Sequence, residues 1–131
     1  MEPSIKLEHA DARGEIYSIS LPDNRELMLL HSNAGVFRGG HSHDCNELVV
    51  LLSGKMRYHK VTSTDPAWVT DKMDLMDAGD VSRNLAGEIH MAAFLEDSWV
   101  VEFKFAGKDS WTQTDYEPYR ARVRESARTQ N

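Results

Sequence analysis

Two histidines separated by a single residue, His41 and His43, lie in a stretch that also carries glycines at positions 35, 39 and 40. Residues two apart point to the same side of a β-strand, whereas on an α-helix they diverge by about 200°. The two imidazoles can therefore face one point in space only if this segment is extended, and its glycines disfavour a helix. The spacing predicts a strand that carries two histidines on one face.

Most of the remaining chain also consists of short runs with β-strand character, separated by turn-forming Gly, Pro, Asn and Asp residues. We predict strands over residues 15–21, 26–31, 47–52, 55–61, 68–76, 94–95 and 99–105. Several short strands with turn signals at close intervals are typical of an all-β sandwich or barrel.

Alternation within these runs predicts which side chains face inward. In the last run it places Val101, Phe103 and Phe105 inside the barrel and Glu102 outside. If Ser53 and Gly54 close a hairpin, Tyr58 lies near Val49 and faces inward with Met56, whereas His59 faces outward.

The two ends of the chain differ from its middle. Asp115 can cap a short terminal helix that has Pro118 in its first turn and covers residues 119–128. Its apolar content is low, so we expect it to contribute little to a core. We expect residues 1–12 and 126–131 to be frayed.

Length and composition limit the class of protein. A chain of 131 residues fits one domain, with a barrel at about 14–106 and a C-terminal extension at about 107–131. A net charge of −6 argues against a nucleic-acid partner, because such binding depends on Lys and Arg neutralising phosphates. No run approaches the ~20 apolar residues of a membrane helix. A single cysteine, Cys45, and an amino terminus without an apolar signal region favour a cytoplasmic location.

The run Leu48–Leu52 is apolar at both its odd-numbered and its even-numbered positions, which would face opposite sides of a strand. A strand with one solvated face should alternate, so we expect both of its faces to be covered. A small barrel has only one interior, and the second face would therefore meet a terminal segment or a second subunit. We expect a homodimer.

Glu47 and His90 extend the histidine pair into a candidate metal site. A carboxylate that opens an apolar strand is costly to bury unless a cation or a donor compensates it. Asp44, Cys45 and Asn46 can fold the chain back and return Glu47 to the side of the histidines. Three imidazoles and one carboxylate suit one divalent transition metal, Fe, Mn, Ni, Co or Zn, and leave coordination positions open, as catalytic sites do.

These positions resemble the two signature motifs of the cupin superfamily, whose members are small jelly-roll β-barrels that hold a metal inside the barrel. The first motif is glycine, five residues, His-x-His, three or four residues, Glu, six residues and glycine. It is matched at every position and gap by Gly35, His41, His43, Glu47 and Gly54.

The second cupin motif is matched in part. Gly79, Gly87 and His90 fit it, whereas Leu85 stands in place of a proline and Phe94 in place of an asparagine. Neither departure touches a metal ligand of the family. The resemblance implies a double-stranded β-helix fold, with His41, His43, Glu47 and His90 as the metal ligands.

Four further residues are candidates for the substrate side of this site. Tyr58 can act in proton transfer or bind a substrate, although a tyrosine at such a position is more often a core residue. Arg83 can clamp an anionic substrate, or it can be an ordinary surface arginine. We expect Phe37 and Phe94 to line the cavity.

The resemblance implies an enzyme that acts on a small molecule, most simply a dioxygenase-like oxidoreductase. A metal-dependent isomerase or lyase of a sugar or small acid, in which the ion polarises an oxygen group and a base removes a proton, is a second possibility. A non-catalytic barrel that binds a metal and a small ligand is a third. A barrel of one fold hosts many chemistries, so the fold alone does not choose among them.

Overall fold

The structure is a computed structural model, and it describes residues 2–23, 25–62, 68, 71–107 and 113–128. Within these residues the chain forms strands and one C-terminal helix, in the order β1 (Ser4–Asp11), β2 (Gly14–Ser20), β3 (Glu26–Ser32), β4 (Phe37–His43), β5 (Cys45–Ser53), β6 (Lys55–Thr62), β7 (Lys72–Asp77), β8 (Val81–Asn84), β9 (Glu88–Phe94), β10 (Ser98–Gly107), β11 (Gln113–Asp115) and α1 (Glu117–Arg128).

The strands form two antiparallel sheets. One has six strands in the order β1-β2-β3-β10-β5-β8, and the other has five in the order β11-β4-β9-β6-β7. From β4 onward the chain passes back and forth between the two sheets, which is the connectivity of a jelly roll. The predicted all-β jelly-roll fold with a short C-terminal helix is confirmed.

The predicted hairpin after β5 is wrong, because β5 and β6 belong to different sheets and do not pair. The turn at Gly54, which has a φ of 97°, carries the chain from one sheet to the other. A Cβ at this position would lie 2.5 Å from the carbonyl oxygen of Asp97 and closer still to Ser98. Glycine therefore lets the crossover pack tightly against the β9–β10 turn.

The main core lies between the two sheets. Val49, Leu51 and Val100 of the six-stranded sheet face Met56 and Tyr58 of the five-stranded sheet, and all five are almost fully buried. Tyr58 and Met56 thus face inward together, as predicted.

A second core lies on the outside of the five-stranded sheet, beneath α1. Tyr119 and Val123 of the helix are buried against Val61, Ile89 and Met91. The helix forms over the predicted residues, but the expectation that it contributes little to a core is wrong. Two well-placed apolar residues four apart lie on one helix face, and that is enough to seal a sheet surface.

A buried polar cluster fastens this helix to the sheet. The hydroxyl of Tyr119 donates to Asp71 Oδ1 at 2.7 Å, and His59 Nδ1 lies 3.2 Å from Asp71 Oδ2. His59 has the predicted outward parity but is only 6% exposed, because residues outside the barrel cover it.

Three other expectations need correction. Residues 4–11 form strand β1, which pairs with β2, rather than a frayed end. Strand β7 is shorter than the predicted run at 68–76, of which residues 69 and 70 lie outside the described part. Of residues 126–131, which were predicted to be frayed, residues 126–128 belong to helix α1, and residues 129–131 lie outside the described part.

The predicted orientation of strand β10 is wrong by one residue. Val100 pairs with Leu51 and Glu102 pairs with Val49, so Glu102 points into the barrel and Val101 and Phe103 point outward. The side chain of Phe105 lies outside the described residues. The alternating pattern did not identify the inward face because the outward-facing residues Val101 and Phe103 are also apolar.

No helix in the described part of the chain is both long and apolar enough to span a membrane.

We predict that Tyr119→Phe lowers the free energy of unfolding by about 1–3 kcal/mol, because it removes a hydrogen bond to a carboxylate. Tyr116→Phe is the matched control, since its hydroxyl makes only a 3.3 Å contact with Ser42 Oγ, and it should change stability by less than about 0.5 kcal/mol. Urea unfolding followed by circular dichroism measures both. Equal losses in the two variants would contradict the anchoring role of Tyr119.

Candidate metal centre

Strands β4 and β9 bring the three histidines together. His41 pairs directly with His90 across these strands, and His43 lies two residues farther along β4 on the same side. The register shifts between Gly39 and His41, and Gly39 and Gly40 both have positive φ values. A Cβ on Gly39 would lie 2.7 Å from the carbonyl oxygen of His90. Glycine is therefore needed for β4 to bulge and still lie close to β9.

The three imidazoles form a compact group. One ring nitrogen from each of His41, His43 and His90 lies within 4.8 Å of the other two, and such a group can hold a metal ion. The ring centroids are 4.7 to 5.3 Å apart. The side chains are partly to fully buried, so an ion held here would be shielded from bulk water on the protein side.

Glu47 approaches this group from the opposite sheet. Its Oε1 lies 3.2 Å from His90 Nε2 and 3.9 Å from His43 Nε2, and the residue is fully buried. The sequence predicted that residues 44–46 fold the chain back beside β4. Instead, β5 lies in the other sheet and presents Glu47 across the barrel interior.

Unsatisfied polar atoms test whether these residues fit a cation. Within the described residues, Glu47 Oε2 and His90 Nε2 are buried and have no hydrogen-bond partner. Buried polar groups are normally paired, and an orphaned carboxylate oxygen is especially costly. A divalent cation would satisfy both atoms at once, so the donor set fits the predicted metal.

Burial also tunes these groups for metal binding. It lowers the pKa of His41 to about 4, with the neighbouring His43 adding to the effect, and it lowers the pKa of His90 well below its usual value. Both imidazoles are therefore neutral near pH 7, which is the form that binds a metal. The Nδ1 of His90 contacts the carbonyl oxygen of Glu88 at 3.4 Å, which favours Nε2 as the ligand atom. Burial raises the pKa of Glu47.

Asn84 is a supporting residue that the sequence did not suggest. Its Nδ2 donates to Glu47 Oε1 at 2.8 Å and to the hydroxyl oxygen of Tyr58 at 2.7 Å. Asn84 therefore fixes the carboxylate and links it to the tyrosine. Burial raises the pKa of Tyr58 well above its usual value, so this hydroxyl keeps its proton at neutral pH.

The histidines form part of the wall of a cavity of about 670 Å³. Tyr58 and Phe94 line it from the barrel interior, and Phe37 lines it while packing against the second core. Arg83, in contrast, is exposed and is not among the residues that line this cavity. In the four-residue strand β8, Asn84 faces inward and Arg83 faces outward.

Arg38 and Glu102 are charged residues of the cavity that the sequence did not predict to lie there. Arg38 points inward because the β4 bulge places it on the same face as His41, and it donates to Ser32 Oγ at 2.7 Å and to the His31 carbonyl at 3.2 Å. Glu102 lines the cavity from β10. Burial, together with the charge of Glu47, raises its pKa to about 8, and Arg38 opposes this shift.

Comparisons with known proteins identify the fold. No protein-family profile matches the chain, and no curated protein matches it. Several solved structures do. The capsular polysaccharide assembling protein CapF from Staphylococcus aureus is 20% identical, with a TM-score of 0.64 over 86% of this chain and 31% of its own. Oxalate decarboxylase from B. subtilis is 16% identical, with a TM-score of 0.63 over 99% of this chain and 38% of its own.

A third similar structure is the Drosophila melanogaster CENP-C cupin domain, which is 10% identical, with a TM-score of 0.60 over 76% of each chain. At these identities the likeness concerns the fold, and the chain has the cupin fold. It spans about a third of the length of the CapF and oxalate decarboxylase chains that it matches.

We predict that Glu47→Gln removes most of the stabilisation that a bound metal gives the protein, without destabilising the metal-free protein. The metal-free variant should be at least as stable as the wild type at pH 7, because it removes a buried charge whose raised pKa disfavours the folded state. Metal at about 100 times the dissociation constant should stabilise the wild type by roughly 2.7 kcal/mol, and the variant much less. Thermal melting with and without Fe(II), Mn(II) or Zn(II) measures both effects.

The exposed Glu96→Gln is the matched control and should respond to metal as the wild type does. A Glu47→Gln variant that binds metal as tightly as the wild type would contradict the assignment of this carboxylate as a ligand.

Proposed function

We propose that this chain is a metal-dependent enzyme that acts on a small molecule inside the barrel, with His41, His43, Glu47 and His90 as the ligands. The observation that carries the proposal is the pair of orphaned buried atoms, Glu47 Oε2 and His90 Nε2, beside three clustered imidazoles at the wall of a cavity. A ligand set on one wall of an accessible cavity is typical of a catalytic site, because a structural site is closed by its own ligands.

The size and lining of the cavity support a small substrate with an oxygen-rich or anionic group. Small-molecule sites have volumes of about 300–1,000 Å³ and combine apolar walls with a few polar groups. Here Phe94 and Val49 supply apolar wall, and Arg38 supplies positive charge from within the barrel. Arg38 would orient a carboxylate or enolate oxygen by charge-assisted hydrogen bonds.

The reaction we propose first is a dioxygenase-like oxidation, which the resemblance to metal-binding cupins implies. A bound transition metal would supply Lewis acidity and redox capacity at coordination positions that the protein leaves open. The chain itself would orient the substrate through Arg38. Asn84 would keep the Glu47 carboxylate in place through its 2.8 Å hydrogen bond, and Phe94 and the other apolar side chains would limit the access of water.

A second reaction, proton transfer in an isomerase or lyase, is favoured by Glu102. With a pKa of about 8, this carboxyl group is protonated at neutral pH and can donate its proton to a substrate oxygen. A group whose pKa lies near the working pH is an effective general acid or base. Tyr58 would then serve as a hydrogen-bond donor rather than as a base, because its raised pKa keeps the hydroxyl protonated.

Oxygen uptake separates the two reactions. Protein purified without added metal would be assayed for its metal content, loaded with Fe(II) and supplied with enediol, diketone and flavonol compounds, and the same compounds would be tested under anaerobic conditions. Uptake of oxygen with loss of substrate supports the oxidation, and anaerobic turnover supports the isomerase or lyase. Protein that binds no metal, and whose folding is unaltered by chelator, would contradict both.

We predict that Glu102→Gln lowers kcat by about 10²–10⁴-fold if the reaction transfers a proton, while the metal content stays unchanged. Burial raises the pKa of Glu102, so in the metal-loaded wild type this activity should fall as the pH rises above neutral and Glu102 loses its proton. Glu26→Gln is the control, since Glu26 also lines the cavity but is exposed. An unchanged kcat in Glu102→Gln would remove this residue from the reaction.

A further inference from the structure

The outer face of the six-stranded sheet is apolar across nearly its whole width. Residues paired across neighbouring strands share a face, and the inward residues Leu51 and Val100 are a pair. The residues next to them therefore point outward. On the two central strands β5 and β10 the outward residues are Leu48, Val50, Leu52, Val101 and Phe103.

The same face continues across the other strands. Register carries it from Val101 to Leu29 and Tyr17, and from Tyr17 to Leu7. Ile5 of β1 and Val81 of β8 mark its two ends. Four of these side chains are more than half exposed: Ile5 at 61%, Leu7 at 52%, Leu52 at 52% and Val81 at 58%.

An aromatic cluster lies at one end of the strands of this face, where Trp99 pairs with His31 and with Ser53, the last residue of β5. Trp99 of β10 is 36% exposed, stacks on Tyr17 at a centroid distance of 6.4 Å and packs on His31 at 4.8 Å. His31 Nδ1 in turn lies 3.1 Å from Glu15 Oε2. These two polar groups of the face are thus paired with each other. Partly exposed tyrosine and tryptophan side chains are among the residues that most often dominate interface energies.

Strand β1 gives a second reason to expect a cover. All eight of its residues are exposed, yet it pairs along its length with β2 and adds Ile5 and Leu7 to the apolar face. Soluble monomers rarely expose contiguous apolar patches larger than a few hundred Å².

The dimensions of the face match those of a stable dimer interface. Six strands ~4.8 Å apart and about seven residues long, at ~3.3 Å per residue, cover on the order of 550 Å² before the relief of the side chains is counted. A standard protein interface buries ~800 Å² on each partner, about a tenth of the surface of a small protein. The accessible surface of this chain is 7366 Å², so one such interface would occupy this face and little else.

We propose that this outer face is the interface of a homodimer, in which two six-stranded sheets pack against each other and Trp99 is buried between them. A second copy fits because a two-fold axis brings the same apolar strands and the same aromatic cluster onto themselves. Sheet-on-sheet packing of this kind has the geometry of the interior of a β-sandwich. The proposal explains why the run at residues 48–52 is apolar at both parities. It does not depend on the metal or on the reaction.

The test compares two double variants by sedimentation velocity between about 1 and 100 µM, a range in which typical specific dimers form. Leu7→Glu with Leu52→Glu places two charges on the outer face. Met73→Glu with Leu75→Glu is the matched control, since these residues of β7 are 42% and 53% exposed on the outside of the other sheet. We expect a mass of twice 14.9 kDa for the wild type and the control, and 14.9 kDa for the outer-face variant with an unchanged circular dichroism spectrum.

Hydroxyl-radical labelling of the unmodified protein gives a second readout that needs no variant. Labelling of Trp99 and Leu52 should fall severalfold as dilute monomer associates, whereas labelling of Leu75 should stay constant. A monomeric wild type at 100 µM would overturn the proposal, including a monomer in which Trp99 is protected, since part of the same chain would then cover the face. A dimer that the Met73/Leu75 variant disrupts and the Leu7/Leu52 variant does not would also overturn it.

Discussion

The placement of one carboxylate inside an apolar barrel is the constraint on which the site depends. Glu47 is fully buried, and among the described residues only its Oε1 receives a hydrogen bond, from Asn84. An ionised carboxyl group in such surroundings is unfavourable without a cation. The neutral imidazoles of His41 and His90 cannot supply the missing charge, but together with His43 they can hold an ion that does. Glu47 and the three histidines would therefore destabilise the core in the absence of a cation, whereas a bound cation would stabilise them as its ligands.

The two-sheet architecture explains how residues from distant parts of the sequence form this set. Histidines come from paired strands of one sheet, and the carboxylate crosses from the other. The outer faces of the two sheets differ in how they are covered. The five-stranded sheet carries α1 on its outer surface, where Tyr119 and Val123 are buried. The six-stranded sheet has no comparable cover among the described elements, and this asymmetry underlies the proposed dimer.

Much of the fold and the histidine cluster could be predicted because both follow from local spacing. His-x-His requires an extended chain, and glycine turns separate runs of strand length. Residues whose orientation depends on a register shift could not be predicted in this way. Glu102 and Val101 exchange sides relative to the prediction because both faces of β10 are largely apolar, so hydrophobicity alone does not distinguish them. Asn84 and Arg83 differ only by parity in a strand of four residues, where a pattern is too short to decide.

The bulge at Gly39 and Gly40 limits how the sequence of this barrel can change during evolution. It inserts one extra residue into β4, so that Arg38 and His41 share the interior although they differ in parity. Loss of that one residue would rotate one of the two out of the barrel while leaving every side chain chemically intact. The position of Arg38 relative to the metal-binding His41 thus depends on a single β-bulge. An insertion or deletion at Gly39 and Gly40 should therefore disrupt the metal site and the position of Arg38 more than most single substitutions in the cavity wall would.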